Sequence, residues 1–159
     1  EAVGGDTSGE AEFVIVNAHG QLWIGVGSDH TDRKVETYGI TVSKQMCDKP
    51  VAPQLWLLSE VEAHWDRLQL HSEVKIDGRS SIYQDGAVAS MRSPRELISL
   101  FERDYGPFGE GSLMFCGTLA AIGGIRPAER FEFALVDPVF ERRIGHAYDV
   151  AILPIVEAE

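Results

Sequence analysis

The sequence predicts an α+β domain in which strands predominate, and three observations support this fold class. The apolar runs are mostly short, rich in β-branched and aromatic residues, and bounded by turn residues, as strands are. Good helix start signals occur in only two stretches of the sequence. With 159 residues, of which 44% are hydrophobic, the chain can bury a core of its own. We therefore expect a single domain over residues 1–159.

The first half predicts a hairpin followed by a helix. "AEFVIV" and "QLWIGVG" are β-rich runs, and "NAHG" at residues 17–20 supplies the turn chemistry between them. Lys44 then follows a second alternating run. "SEVEAHWDRL" predicts a short helix, because Ser59 and Glu62 have the spacing of a capping box. Trp65 and Leu68 are expected to face the core from this helix.

The second half predicts further strands around one strong helix. "LQLHSEVKI", "RSSIYQ" and "AVASM" indicate a three-stranded meander with Asp-Gly turns at residues 77–78 and 85–86. "SPRELISLFERDYG" predicts a helix that Ser93 caps, Pro94 opens and Gly106 ends. "SLMFCGTLAAIGG" and "RFEFALVDP…RRIGHAYDVAIL" predict the remaining strands.

The net charge of −11 argues against several classes of partner. Such a chain repels phosphate backbones and anionic lipids, so we expect neither nucleic acid nor membrane as a partner. No apolar run is long enough to span a membrane, and nothing at the N-terminus looks like a signal peptide, so we expect a cytoplasmic protein. Cys47 and Cys116 have no metal-site spacing, and we expect them to be buried thiols.

A group of carboxylates is predicted where the hairpin strands meet. Glu10 and Glu12 share one face of the first strand because strand side chains alternate. A solvated strand end would explain this pair alone. Asp29, at the end of the second strand, could join them and complete an all-oxygen site. Such a site suits Mg²⁺ or Mn²⁺, with Ca²⁺ as a further candidate, and does not suit zinc.

Five motifs follow one another along the chain: "SGEAEFVIV", "GSDHTDR" before a lysine, "LHSEVKIDGRSSIYQDG", "SPRELISLF" and "GEGSLMFCGTLAAIG". In this order they resemble the fumarylacetoacetate hydrolase superfamily, from about residue 9 to the C-terminus. More narrowly, "SKQMC-x-KPVA" and "MFCGTLAAIGGIRP" are similar to an uncharacterised bacterial branch of it. The resemblance implies a fumarylacetoacetase-like mixed β-sandwich roll with two short helices.

The resemblance also implies roles for individual residues, by their match to the motifs of the superfamily. It implies metal binding by Glu10, Glu12 and Asp29, and catalytic or pocket roles for Lys44 and Glu36. It implies substrate binding by Arg33, Gln84, Gly117 and Thr118. A homodimer is expected too, because members often pair through this domain.

The chain departs from the superfamily pattern at three places. His30-Thr31-Asp32-Arg33 replaces Ser-Ala-Arg-Asp after the metal aspartate, and the proline of the Gly-Thr signature is Leu119 here. The lid helix, whose His/Glu pair activates water in many members, would lie before Glu1. We therefore expect a processed or truncated start that lacks this lid. His30 is a candidate proton carrier, with a structural role held by hydrogen bonds as the alternative.

Two functional hypotheses of different class follow. The first is a metal-dependent enzyme that acts on a small oxo-acid or 1,3-dicarbonyl carboxylate through a metal-stabilised enolate. C–C hydrolysis is its leading reaction, and decarboxylation, isomerisation and hydration are the alternatives. The second is a degenerate domain that binds a metal or small ligand without turnover. Retention of the metal carboxylates together with Lys44 and Thr118 favours the enzyme.

Overall fold

The computed structural model describes residues 1–156, which form twelve strands and four α-helices. The strands are Ala2–Val3 (β1), Thr7–Ser8 (β2), Ala11–Ala18 (β3), Gln21–Ser28 (β4), Thr31–Asp32 (β5), Trp56–Leu57 (β6), Gln69–Ile76 (β7), Arg79–Ala87 (β8), Leu113–Thr118 (β9), Arg130–Asp137 (β10), Arg142–Asp149 (β11) and Ile152–Leu153 (β12). The α-helices are Arg33–Glu36 (α1), Ile40–Gln45 (α2), Leu58–Val61 (α3) and Pro94–Tyr105 (α4), and short 3₁₀ helices span Glu62–Arg67 and Val88–Ser90.

Two four-stranded antiparallel sheets enclose the core. One sheet has the strand order β6-β4-β3-β9 and the other has the order β11-β10-β7-β8. Phe13 and Ile15 from the first sheet and Phe133 and Leu135 from the second lie fully buried in one hydrophobic cluster. Two further pairs, β1 with β12 and β2 with β5, add short ribbons. The predicted α+β, mainly β, fold class is confirmed.

The first hairpin forms as predicted, with a tighter turn than "NAHG" suggested. β3 and β4 pair up to Ala18 opposite Gln21, so the loop holds only two residues. These residues, His19 and Gly20, have φ values of 56° and 68°. Two positive φ angles belong to a type I′ turn, which matches the twist of the flanking strands.

The predicted three-stranded meander is wrong, because β8 does not turn at Asp85–Gly86. β8 continues past these residues, with Gly86 opposite Leu70 of β7. A side chain at Gly86 would place its Cβ 3.1 Å from a methyl group of Leu119, so this glycine serves close packing instead of a turn. The turn at residues 77–78 is confirmed.

The two predicted helices are present, but only one begins as predicted. α4 is capped by the Ser93 side chain, which accepts a hydrogen bond from the Glu96 amide at 3.4 Å, and it ends at Gly106. α3 begins at Leu58, and its N-cap makes no side-chain bond, so the predicted capping box at Ser59 is wrong. Burial of Leu58 and Val61 fixes this start instead.

Two short helices were not predicted, and they carry part of the candidate site. α1 begins at Arg33 because the side chain of Asp32 accepts a hydrogen bond from the Val35 amide at 2.9 Å. α2 follows at residues 40–45 and contains Lys44. The alternating run that precedes Lys44 is therefore helical and turn-like. Asp32 caps α1, whereas the N-cap of α2, Gly39, makes no side-chain hydrogen bond.

The remaining expectations concern packing and the membrane. Trp65 packs edge-to-face on Phe13 at 4.9 Å between ring centroids, which confirms its core orientation. Both cysteines are free thiols, Cys116 buried as expected and Cys47 only half-buried. Within residues 1–156, none of the helices has the length and apolar character needed to cross a membrane.

Candidate metal centre

Three carboxylates converge at one end of the β3–β4 hairpin. Glu10 lies directly before β3, Glu12 lies within it and Asp29 follows β4. The Asp29 amide donates a hydrogen bond to the Glu10 carbonyl at 2.9 Å, which extends the hairpin pairing to this point. Each residue has a carboxylate oxygen within 4.8 Å of the other two. The structure thus brings together the three residues that the sequence analysis grouped.

Glu12 is the most enclosed of the three carboxylates. Its Oε2 accepts a hydrogen bond from the Gly117 amide at 2.7 Å, where β9 passes beside β3. Burial raises the pKa of Glu12 to about 7, although the hydrogen bond from Gly117 acts in the opposite direction. Without a further cation, this carboxyl therefore holds a proton in a good part of the molecules near neutral pH.

Two cations neutralise the exposed side of the cluster. Lys44 Nζ lies 3.0 Å from Glu10 Oε2 and also bonds to Asp29 Oδ2. Arg33 Nη2 lies 3.0 Å from the other oxygen of Glu10, while its Nη1 lies 3.0 Å from Glu36 Oε2. Burial opposes the charge of Lys44, but its bonds to Asp29 and Glu10 raise its pKa above the usual value. Lys44 therefore remains an ammonium within the cluster.

Lys49 is a member of this site that the sequence analysis missed. Its ammonium lies 3.2 Å from Asp29 Oδ1. It also donates to the carbonyls of His30 at 2.6 Å and Cys47 at 3.2 Å, and to that of Lys44. These bonds fix the C-terminal end of α2 against the strand end that carries Asp29. Its only sequence signal was its place in the quoted "KPVA" motif.

The structure does not bring the His30 side chain to the carboxylates. His30 lines a separate cavity of about 130 Å³, and its Nδ1 lies 2.8 Å from the hydroxyl of Tyr148. Burial, followed by the charges of Lys49 and Arg33, lowers the pKa of His30 to about 4. The ring is consequently neutral at physiological pH. Tyr148, which also bonds Ser28 at 2.8 Å, is a partner that no local pattern could have indicated.

Gln84 and Thr118 lie beside the cluster, with their polar atoms bonded inside the protein. Gln84 Oε1 accepts hydrogen bonds from the Ala11 amide at 2.9 Å and the Ser72 hydroxyl at 2.8 Å. Its Nε2 donates to Thr118 Oγ1 at 2.5 Å and to the Leu119 carbonyl at 2.7 Å. The Thr118 hydroxyl donates to the Ala11 carbonyl at 2.7 Å. Gln84 therefore joins both sheets to the segment after β9.

A cavity of about 270 Å³ opens next to Glu10. Its walls include Gln84, Thr118, Leu119 and Ile125. Because Glu10 belongs both to this cavity and to the carboxylate cluster, a small molecule held in the cavity would contact the cluster.

Replacing Gln84 with methionine is expected to lower the free energy of unfolding by about 2–4 kcal/mol. The change keeps the length of the side chain but leaves the Ala11 amide and the hydroxyl of buried Ser72 without their acceptor. Urea unfolding followed by circular dichroism measures the effect. The matched control is Gln69→Met, at an exposed position of β7, which should change stability by less than about 0.5 kcal/mol. Equal stabilities of the two variants would contradict the structural role of Gln84.

The sequence model of a protein family, the protein of unknown function DUF2848, matches residues 1–148. The chain belongs to the DUF2848 family. No curated protein matches this DUF2848 chain.

Solved structures share the fold of this DUF2848 protein. A crystal form of 2-keto-3-deoxyarabinonate dehydratase has a TM-score of 0.69 and 17% identity, over 99% of this chain and 56% of that chain. 2-keto-3-deoxy-D-arabinonate dehydratase complexed with magnesium and 2,5-dioxopentanoate has a TM-score of 0.67 and 18% identity, and the match covers 99% of this chain and 58% of that chain. Cg1458 has a TM-score of 0.69 and 14% identity, and the match covers 98% of this chain and 63% of that chain.

These likenesses establish the fold, and at such identities they establish no more than the fold. The DUF2848 chain spans between 56% and 63% of the length of these three structures. The shared fold agrees with the fumarylacetoacetase-like fold that the resemblance implies.

Proposed function

We propose that the chain is a divalent-metal-dependent enzyme that acts on a small oxo-acid or 1,3-dicarbonyl carboxylate. The observation that carries this proposal is the convergence of Glu10, Glu12 and Asp29 within 4.8 Å of one another, beside the Lys44 ammonium and an open cavity. Hydrolysis of a C–C bond is the first candidate reaction. Dehydration is the second candidate, because the fold is shared with dehydratases of a 2-oxo acid.

The three carboxylates are suitable ligands for a hard divalent cation. Its donors are oxygens only, which suits Mg²⁺ or Mn²⁺, and Ca²⁺ as a further candidate. Asp29 Oδ1 is buried and accepts no hydrogen bond from residues 1–156, although the Lys49 ammonium forms an ion pair with it at 3.2 Å. A relative in fold was solved with magnesium and a dioxo compound, which supports this assignment. When bound, such an ion supplies Lewis-acid stabilisation of an enolate.

The surrounding residues would bind and orient the substrate. Lys44 presents a permanent positive charge where negative charge develops on a substrate oxygen. Arg33 orients Glu10 and Glu36 through its two ion pairs. We assign substrate contact at the end of β9 to Gly117 and Thr118. The Thr118 hydroxyl already bonds Ala11, and Gln84 acts on the substrate through the positions of its neighbours.

His30 is assigned a supporting role in this proposal. Its ring is neutral, bonded to Tyr148 and outside the carboxylate cluster. This geometry favours the structural alternative over that of a proton carrier.

The setting of the enzyme is part of the proposal. We propose a cytoplasmic homodimer from a bacterial branch of the superfamily, without nucleic acid or membrane partners. The alternative function is a domain of the same fold that binds a metal or small ligand without turnover.

A panel of candidate substrates tests the proposed reaction. The chain is loaded with Mg²⁺ and incubated with acetylpyruvate, oxaloacetate and 2-oxo-4,5-dihydroxypentanoate, and products are followed by NMR. We expect turnover of at least one compound, its loss in a chelator, and a decrease of about 10²–10³-fold in kcat for Lys44→Met. The control variant is Lys34→Met, at an exposed position of α1. Absence of turnover, with oxalate still bound to the metal-loaded chain, would favour the binding domain.

A further inference from the structure

We propose that the cavity beside Glu10 selects a substrate with an apolar tail, and that Leu119 and Ile125 are the residues that select it. This inference rests on the proposed function, since it assumes that the substrate's oxo-acid end lies at the carboxylate cluster. The cavity of about 270 Å³ is the open space adjoining that cluster through Glu10. It is large enough for a tail of a few carbon atoms.

The polar groups that Gln84 and Thr118 contribute to the cavity wall are already engaged within the protein. Both ends of the Gln84 amide are bonded, its Oε1 to Ala11 and Ser72 and its Nε2 to Thr118 and Leu119. The Thr118 hydroxyl donates to Ala11. The Tyr83 hydroxyl, in another residue of the wall, makes no hydrogen bond within residues 1–156, but it is buried and has almost no surface that a ligand could reach. A hydroxyl group on the tail of a ligand would therefore lose water without gaining a partner here.

The surface that remains for a ligand is mainly apolar. Leu119, Ala120, Ala121 and Ile125 supply it, and Glu10 is the charged residue at its inner end. Ile125 is 57% exposed, so its side chain has apolar area that a bound tail would cover. The carboxylate end and the apolar wall thus match a molecule that is charged at one end and apolar at the other.

This apolar wall is held in place by its own bonds. The Ile122 amide donates to the Tyr83 carbonyl at 2.7 Å, which ties the segment after β9 to β8. Arg126 Nη1 donates to the carbonyls of Ile122 at 2.8 Å and Gly124 at 2.9 Å. Its guanidinium also lies 5.0 Å from the centroid of the Tyr83 ring. Leu119 itself packs against Gly86. A wall fixed in this way can discriminate between tails.

A homologous series of 2-oxo acids tests the inference by calorimetry on the Mn²⁺-loaded chain. The probes are 2-oxobutanoate, 2-oxopentanoate and 2-oxohexanoate, with oxalate as a head group that lacks a tail. Burial of one methylene is worth a factor of about four in affinity, so binding should tighten about fourfold at each step. 2-Oxo-4,5-dihydroxypentanoate should bind at least about tenfold more weakly than 2-oxopentanoate.

Matched variants locate the effect in the wall. Ile125→Asn should reduce the gain per methylene to about twofold or less, because it places a polar amide on the cavity surface. The control is Ile122→Asn, on the same segment and 51% exposed, which leaves the gain unchanged. Both positions are exposed, so folding is expected to persist in each variant.

The outcomes separate this inference from the proposed function. Oxalate binding that persists while the series is flat would overturn the apolar tail and leave the proposed function standing. Tighter binding of 2-oxo-4,5-dihydroxypentanoate than of 2-oxopentanoate would likewise overturn the apolar tail and leave the proposed function standing. Failure of oxalate and of every 2-oxo acid to bind the metal-loaded chain would overturn the proposed function, and this inference with it.

Discussion

A Glu12→Gln variant is expected to bind Mn²⁺ at least about 100-fold more weakly than the unchanged chain. This factor is the upper end of the 10–100-fold loss that changes of outer-shell partners produce at metal sites, and Glu12 would be a direct ligand. The substitution removes one of three negative charges from the cluster while it keeps the size of the side chain. The glutamine carbonyl can still accept the hydrogen bond from the Gly117 amide, which is 2.7 Å from the carboxylate here. The loss therefore reports the charge of the ligand and not a collapse of the site.

Calorimetric titration of chelator-treated protein with Mn²⁺ measures this loss. The matched control is Asp66→Asn, which removes one negative charge at an exposed position of the 3₁₀ helix after α3. It should bind Mn²⁺ as the unchanged chain does. Equal binding by the Glu12 variant would place the metal ion elsewhere in the chain.

The fold was predictable where short segments specify their own geometry. The β3–β4 hairpin and α4 both carry turn or capping residues within a few positions of where they act. The segment at Asp85–Gly86 has the same kind of local signal, yet it stays in β8 because Gly86 makes room for Leu119, a residue 33 positions further along the chain. The turn preference of a few neighbouring residues carries no information about a contact so distant in the sequence.

The residues of the candidate site likewise divide into those that the sequence could predict and those that it could not. The position of Glu10, Glu12 and Asp29 follows from strand alternation and one hairpin, so the sequence was sufficient to group them. The role of Lys49 depends on how the segment after α2 folds back onto Asp29. The bond between His30 and Tyr148 joins positions 118 residues apart. Contacts of this kind arise from the packing of the two sheets, which no single-sequence pattern encodes.

The pH dependence of stability should differ between the metal-free chain and its Glu12→Gln variant. Burial raises the pKa of Glu12 from 4.5 to about 7 in the folded protein. Between these values the folded protein keeps a proton that the unfolded chain releases, so folding is favoured at the acidic end. The contribution is fully present below about pH 4.5 and is lost as the pH rises through 7; it amounts to about 3 kcal/mol.

Urea unfolding at pH 5 and pH 8 in the presence of a chelator measures this contribution. The difference in unfolding free energy between the unchanged chain and Glu12→Gln should shift by about 2.5 kcal/mol against the unchanged chain between pH 5 and pH 8, because pH 5 lies slightly above the unfolded pKa. The variant cancels the titration of the other groups, since it differs at this carboxyl alone. A difference that is constant with pH would mean that Glu12 is already ionised at pH 5.

Mn²⁺ binding should be coupled to the release of the same Glu12 proton. Because a ligand carboxylate must be deprotonated, Mn²⁺ has to displace the proton of Glu12, and its apparent affinity should rise about tenfold per pH unit below 7 and level off above it. Calorimetry in two buffers of different ionisation enthalpy should detect about one proton released at pH 6 and almost none at pH 8. Since proton and metal ion compete for one carboxylate, the affinity curve and the stability curve must bend at the same pH. If the affinity curve and the stability curve bend at different pH values, the proton belongs to another residue of the cluster.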